Sequence, residues 1–133
     1  MPALIHRFHN AKIRGLSEVA IWGDGTPLRE FLHVQDLASA SLKLLKDYDS
    51  SVAINVGSSE EVTILELAQK IAQGVGFEGD ITFDKSKPNG TPRKLLDSSS
   101  LKNLGWKAQV DLTNGLVSTY DWFLNNDAKG ITK

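Results

Sequence analysis

Residues 52–83 carry the sequence VAINVGSSEEVTILELAQKIAQGVGFEGDITF, which places a helical pattern between two strand-like runs. The run Val52–Val56 is apolar apart from one asparagine and stops at a glycine, as buried parallel strands do. Thr63 and Glu66 have the spacing of a capping box, in which each side chain satisfies a free backbone amide of the other. Apolar residues then recur with helical period until a glycine ends the pattern, and a strand is predicted at Ile81–Phe83. This order predicts the α/β class.

The rest of the chain continues the alternation of helices and strands. A proline at position 2 suits a first helical turn, and one apolar face follows it as far as Lys12. Val19–Trp22 and Arg29–Val34 have strand composition and are separated by a cluster of turn formers. Three more helices are predicted after the cap Asp36, over Ser98–Leu104 and after the cap Asp111. Because the few short strands lack enough parallel neighbours, we expect the chain to be part of a larger fold.

Length and composition are those of one ordinary globular domain. The 133 residues include 15 Lys and Arg and 16 Asp and Glu, so the net charge is 15 − 16 = −1. This balance argues against general nucleic-acid binding, and no apolar run approaches the ~20 residues that cross a bilayer. The chain has no cysteine, which excludes disulfides and thiolate chemistry and agrees with a reducing compartment. The N-terminal segment is charged too early for a secretory signal, so we expect a cytoplasmic protein.

Motifs of nucleotide-dependent enzymes are absent from the sequence. Gly23 and Gly25 lack the third glycine of a dinucleotide loop, and a strand-like segment follows them, so a plain turn is predicted. No Gly-Lys-Ser or Gly-Lys-Thr occurs, and neither Tyr48 nor Tyr120 has a lysine four residues later. We therefore expect neither a cofactor site nor the acid–base pair of a short-chain reductase in this chain.

The histidines do not have the spacing of a metal site. His6 and His9 share one helix face, but no carboxylate completes a ligand set and no HExxH motif occurs. We expect these two and His33 to be exposed or hydrogen-bonded, with no metal. Asp36 could serve as a base, but its place before a helix favours a capping role.

Positive charge is concentrated in residues 85–94, which hold four cations, two prolines and Gly90. Such a loop presents ammonium and guanidinium groups to a phosphate at low entropic cost, although a solvated loop explains the composition equally simply. Arg29 begins a strand just after another turn, and Arg7 and Trp22 come from two further segments. Together these side chains would suit a diphosphate joined to a base.

Six segments of the chain resemble the C-terminal part of the GDP-L-fucose synthases. These enzymes are extended short-chain dehydrogenase/reductases of the NAD-dependent epimerase/dehydratase type. They match in order up to about residue 126. The segments are PALIHRFHNAK at 2–12, WGDGTPLREFLHV at 22–34, INVG at 54–57, FDKSKPNGTPRKLLD at 83–97, LGW at 104–106 and TYDWFL at 119–124.

The resemblance implies a reaction and a domain plan. The family epimerises GDP-4-keto-6-deoxy-D-mannose at C3 and C5 and then reduces C4 with NADPH, giving GDP-L-fucose. The chain would be a truncated C-terminal part, a small mixed α/β substrate domain with remnants of the Rossmann-side strands and helices. Residues 1–126 would form the GDP-sugar-binding portion and residues 127–133 a flexible tail. Four residues carry over as substrate contacts: Arg7, Trp22, Arg29 and Lys94.

The family's NADP loop, its Ser and Tyr-x-x-x-Lys group and its epimerisation Cys and His correspond to positions before Met1. The resemblance therefore implies a substrate-binding part that is catalytically inactive alone, with no catalytic, cofactor or metal residue of its own. Two positions depart from the family pattern. Asn89 stands where Asp is usual, and Asp80 stands where some members have a basic residue, so both bear on the nucleotide-base side of the site.

Two alternatives come from other classes. The chain could be a non-enzymatic binding module that associates with itself, as a homodimer or strand-exchanged form, with Val52–Val56 as an exposed edge strand. It could instead be a fragment of a UDP-sugar epimerase. The oligomeric state tests the first alternative, and a comparison of GDP-sugar with UDP-sugar affinity tests the second.

Overall fold

The computed structural model describes residues 1–126, so the predicted tail 127–133 lies outside the described residues. Helices and strands alternate, and the protein is of the predicted α/β class. No described helix combines the length and the apolar character needed to cross a membrane. The elements are α1 (Pro2–Ile13), β1 (Glu18–Trp22), β2 (Leu28–Glu30), α2 (Val34–Asp47), β3 (Glu61–Thr63), α3 (Ile64–Val75), β4 (Asp80–Asp84), β5 (Arg93–Lys94), α4 (Ser99–Asn103) and α5 (Leu112–Asn126).

The described strands form two small sheets. In the first, β1 and β4 run parallel, with Val19 opposite Ile81. In the second, β2 lies between its antiparallel neighbour β3 and its parallel neighbour β5. Leu28 therefore pairs with Thr63 on one side and with Arg93 on the other. The second sheet brings the end of the cationic loop beside the strand that carries Arg29.

The core forms where α1, α3 and α5 pack with the first sheet. The apolar stripe of α3 is buried, as its helical period predicts, and Phe8, Ile21 and Leu116 pack in the same cluster. Each fully buried side chain of this size stabilises the fold by about 1.5–3 kcal/mol. The capping box is confirmed, because Thr63 Oγ1 accepts from the Glu66 amide at 3.0 Å while Glu66 Oε2 accepts from the Thr63 amide at 2.7 Å.

The predicted strand Val52–Val56 is wrong. The segment has no strand partner among the described residues, and Val52 is 68% exposed. Asn55 instead donates its side-chain amide to the carbonyl oxygen of Asp97 at 3.1 Å. An apolar run becomes a strand only where a neighbour pairs with its backbone, and composition does not reveal whether that neighbour is present.

The predicted capping role of Asp36 is also wrong. The cap of α2 is His33, whose ring nitrogen accepts from the Gln35 amide at 3.4 Å. Asp36 lies in the first turn, is 3% exposed, and accepts 3.0 Å hydrogen bonds from the amides of Gln109 and Val110. The carboxylate therefore fastens α2 to the segment before α5, a contact between residues more than 70 positions apart in the chain.

The boundaries of the other predicted elements agree with the structure except at β2, and β3 and β5 are strands that the sequence does not predict. The strand predicted at Arg29–Val34 ends at Glu30, and Val34 already begins α2. The short helix at Ser99–Asn103 is confirmed within its predicted span. The cap of α5 is confirmed as well, because Asp111 Oδ1 accepts from the Asn114 amide at 2.9 Å.

Candidate functional site

Two loops meet at the carboxyl ends of β1 and β4. The Gly23 amide donates to the Asp84 carbonyl at 3.0 Å, and the Asp24 amide donates to Asn89 Oδ1 at 2.8 Å. A Cβ at Gly23 would lie 2.0 Å from that oxygen, and the φ of Gly23 is +80°, so the position requires glycine. Hydrogen bonds from Thr26 and Asn89 lower the pKa of Asp24 to about 2, which keeps its carboxylate charged at neutral pH.

A cavity of about 360 Å³ opens between these loops. Its lining combines two ammonium groups with the Asp24 carboxylate, and its residues are Gly23, Asp24, Lys85, Lys87, Pro88 and Asn89. Trp22 lies beside it, 62% exposed, with Lys87 Nζ 5.9 Å from the ring centroid. A cation at this distance over an indole ring is attracted by the ring quadrupole. The ring therefore stands at the edge of a cationic cavity with its face accessible.

Arg29 and Lys94 are partners in the parallel pairing of β2 with β5, so their side chains leave the same face of the second sheet. Arg29 Nη1 donates to the Leu28 carbonyl at 2.6 Å, and a Cβ at Gly90 would lie 3.7 Å from Arg29 Nη2. The Arg29 guanidinium thus lies against the same loop that lines the cavity near Trp22. The structure brings Trp22, Arg29 and Lys94 to one loop from three strands.

Arg7 lies at the neighbouring sheet, where Nη1 donates to the Ala20 carbonyl at 2.6 Å. The Ser17 carbonyl and the Gly23 amide both form hydrogen bonds with residues of β4. Because the backbone groups of successive residues point to opposite edges of a strand, the Ala20 carbonyl faces the edge of β1 that lies away from β4. Arg7 therefore holds the edge of β1 two residues before Trp22. None of the four predicted contact residues lines the 360 Å³ cavity itself.

The cationic loop contains one ion pair that the sequence analysis did not find. Arg93 donates from Nε to Glu61 Oε1 at 2.9 Å and from Nη2 to Oε2 at 2.6 Å. The Arg93 guanidinium lowers the pKa of Glu61, and Glu61 raises the pKa of Arg93. Thirty-two positions separate the two residues, so no local pattern could have indicated the pair. Among the described residues, the loop's other cations, Lys85, Lys87 and Lys94, form no ion pair.

The glycines near this site do not form a dinucleotide-binding loop. Strand β2 follows Gly25, whereas a pyrophosphate loop opens onto a helix N-terminus. A Cβ at Gly25 would meet the Phe83 ring at 2.5 Å, so a side chain already fills the space beside its backbone. Gly23 and Gly25 therefore do not form a dinucleotide-binding loop, and the predicted plain turn is confirmed.

The three histidines have hydrogen-bonded or packed roles. His9 is buried, with Nδ1 3.0 Å from the Tyr120 hydroxyl, and His6 contacts the Phe123 ring edge-on. His33 Nε2 lies 3.1 Å from Ser118 Oγ. Within residues 1–126, no cluster of three or more histidine and carboxylate side chains could hold a metal ion.

The chain is similar to several known proteins. The NAD dependent epimerase/dehydratase family matches residues 1–57. GDP-L-fucose synthase 1 of Arabidopsis thaliana is 56% identical over 126 residues, which are 95% of this chain and 39% of the relative. The chain thus spans about two fifths of the length of this relative.

Solved structures give the same result. A GDP-L-fucose synthetase of Naegleria fowleri bound to NADP is 31% identical with a TM-score of 0.88, over 94% of this chain and 40% of that protein. UDP-glucose 4-epimerase of Thermotoga maritima is 26% identical with a TM-score of 0.77, over 92% and 39%. The sequence and the fold agree: residues 1–57 match the NAD dependent epimerase/dehydratase family, and the chain is similar to part of the GDP-L-fucose synthases.

Proposed function

We propose that this chain is the GDP-sugar-binding part of an enzyme of the GDP-L-fucose synthase type. The observation that carries the proposal is the pairing of Arg29 with Lys94 beside the loop that also reaches Trp22. The 56% identity to a GDP-L-fucose synthase supports a GDP-sugar as the ligand. The whole enzyme would carry out the family's epimerisation and NADPH-dependent reduction of GDP-4-keto-6-deoxy-D-mannose.

Each group in the site has a chemical role toward a nucleoside diphosphate sugar. Arg29 presents a planar guanidinium that can donate two parallel hydrogen bonds to phosphate oxygens, and Lys94 adds a point charge beside it. Trp22 offers an exposed ring face to a flat base or to the apolar face of a sugar. Arg7, held at the edge of β1 by the Ala20 carbonyl, adds a positive charge two residues before Trp22 in the strand.

We propose further that the chain binds without chemistry. Reduction of a ketone requires a hydride donor and an acid that protonates the carbonyl oxygen. Tyr120 is buried against His9 in the core and cannot reach a substrate, and Tyr48 donates its hydroxyl hydrogen to the Val52 carbonyl at 2.8 Å. Neither tyrosine is followed by the lysine of a reductase pair. We therefore expect the purified chain to leave NADPH unoxidised in the presence of the keto-sugar nucleotide.

Calorimetric titration with GDP-fucose tests the binding proposal. Arg29→Ala removes a charged hydrogen-bonding partner of the pyrophosphate, so we expect Kd to rise about tenfold or more. Arg14→Ala is the matched control, because Arg14 is an exposed arginine at the end of α1, away from the loop. Binding should weaken with added salt, as screening of an exposed charged site requires.

Three results would contradict the proposal. The first is no binding of GDP-fucose by the wild-type chain at millimolar concentration. The second is equal loss of affinity in the Arg29→Ala and Arg14→Ala variants. The third is tighter binding of UDP-glucose than of GDP-fucose, which would favour the UDP-sugar epimerase alternative. Oxidation of NADPH by the purified chain would contradict only the absence of chemistry.

A further inference from the structure

The carboxylate of Glu30 joins three segments of the chain through backbone amides. Oε1 accepts from the Ser59 amide at 2.5 Å, and Oε2 accepts from the Leu96 amide at 3.2 Å. Ser58 Oγ lies 3.5 Å from Oε1. The ion pairs found among residues 1–126 do not include Glu30, so backbone donors supply its principal partners. Hydrogen bonds to an ionised acceptor are among the stronger ones in proteins.

The chain around Glu30 is shaped to admit this carboxylate. A Cβ at Gly57 would lie 2.5 Å from Glu30 Oε1, so a side chain there would displace the carboxylate from its present position. Ser59 has a φ of +65°, a backbone conformation that residues other than glycine rarely adopt. The rare conformation turns the Ser59 amide toward the carboxylate that binds it. Two features of the 57–59 segment therefore accommodate the Glu30 carboxylate.

The same carboxylate lies next to the two cations of the candidate site. Glu30 follows Arg29 on β2, and Leu96 comes two residues after Lys94 at the end of β5. The ladder between β2 and β5 contains only two residue pairs, Leu28 with Arg93 and Arg29 with Lys94. So short a ladder fixes its register weakly, and a slip of one residue would turn Lys94 to the opposite face of the sheet. The bond from Leu96 to Glu30 extends the pairing beyond the ladder.

We propose that Glu30 is a positioning residue that keeps Lys94 in register with Arg29 in the pairing of β2 with β5, so that both cations face one pyrophosphate. It touches no ligand itself and acts through the Leu96 amide. The identity of the ligand rests on the proposed function, whereas the effect on the register of β5 does not. The two parts are therefore measured separately.

The first experiment measures the register in solution by NMR of the isotope-labelled 133-residue chain. Glu30→Gln keeps the size of the side chain but sets an amide donor against a backbone donor. Glu30→Asp keeps the charge but withdraws it by one methylene, and it is the milder change if the glutamine variant is unfolded. In both variants we expect loss of the backbone contacts between Arg29 and Lys94 and at least about tenfold faster exchange of the Leu96 amide.

Glu60→Gln is the matched control, because Glu60 is an exposed glutamate in the same segment. It should retain the wild-type contacts and exchange rates. Retained contacts between Arg29 and Lys94 in both Glu30 variants would overturn the proposal. Wild-type contacts and exchange rates in Glu30→Asp alone would also overturn the proposal, because a negative charge withdrawn by one methylene would then be sufficient.

The second experiment places Glu30→Gln and Lys94→Ala in a double-mutant cycle read by GDP-fucose titration. We expect Glu30→Gln to raise Kd about tenfold in the wild-type background and less than about twofold when Lys94 is already alanine. Equal effects in both backgrounds would show a general structural role and overturn the proposal. If the wild-type chain binds no GDP-sugar, the proposed function fails, and the NMR contacts alone decide the role of Glu30.

Discussion

Asn89 closes the turn after β1, with Oδ1 accepting from the Asp24 amide at 2.8 Å and occupying the space that a side chain at Gly23 would need. An aspartate at this position would offer the same acceptor atom and would preserve the contact that joins the two loops. The physical requirement at position 89 is a short side chain with an oxygen acceptor.

Replacement of Asn89 therefore has different outcomes with different residues. Asn89→Ala removes the acceptor and should lower the free energy of unfolding by about 1 kcal/mol. Asn89→Asp retains the acceptor and should stay within about 0.5 kcal/mol of wild type. Urea denaturation measures both values. An aspartate variant as unstable as the alanine variant would show that this hydrogen bond does not hold the turn.

Asp36 should be among the most sensitive polar positions in the chain. Asp36→Ala leaves the Gln109 and Val110 amides without their acceptor, and we expect a loss of about 2 kcal/mol. Asp49→Ala, a change at an exposed aspartate, should cost less than about 0.5 kcal/mol. Urea denaturation of the two variants compares the losses. Similar stabilities for both would mean that the Asp36 contacts contribute little.

Burial, together with the nearby charges of His6 and Lys12, lowers the pKa of His9 in the folded state. The unfolded chain then binds a proton at a higher pH than the folded chain does. The resulting contribution to the free energy of unfolding is complete above the unfolded-state pKa of about 6.5. It is lost as the pH falls toward the lower pKa of the folded state. We expect the thermal midpoint to fall between pH 7 and pH 5 in the wild type and to fall less in His9→Gln. Parallel pH profiles for the two proteins would contradict this assignment.

Helix α2 exposes an apolar stripe, which we define as Val34, Leu37 and Leu45. The exposed fractions are 71%, 48% and 84%. The three side chains lie on one helix face, and in a solution of this chain alone only water or a second copy can cover them. We therefore expect concentration-dependent self-association by light scattering, reduced by Leu45→Lys. Gln73→Lys adds the same charge on the exposed surface of α3 and should leave association unchanged. A monomer at all concentrations would contradict the expectation.

The candidate site was only partly predictable from the sequence. Its cations stand out because four of them occupy ten residues that also contain two prolines and a glycine. Which of these cations is available could not be predicted, because Arg93 is neutralised by Glu61 and Lys94 is aligned by its pairing with Arg29. Both contacts join residues more than 30 positions apart. The positioning carboxylate of Glu30 has no sequence signal for the same reason.

Elements whose signals lie within a few residues of one another could be predicted from the sequence. Thr63 and Glu66 define the start of α3, and the apolar stripe that follows defines its buried face. Tertiary structure alone decided that Val52–Val56 forms no strand and that Asp36 binds the segment before α5. Caps and helical faces are satisfied by neighbours in the chain, so their pattern is visible in the sequence. Strand pairing and buried carboxylate contacts require partners that only folding brings together.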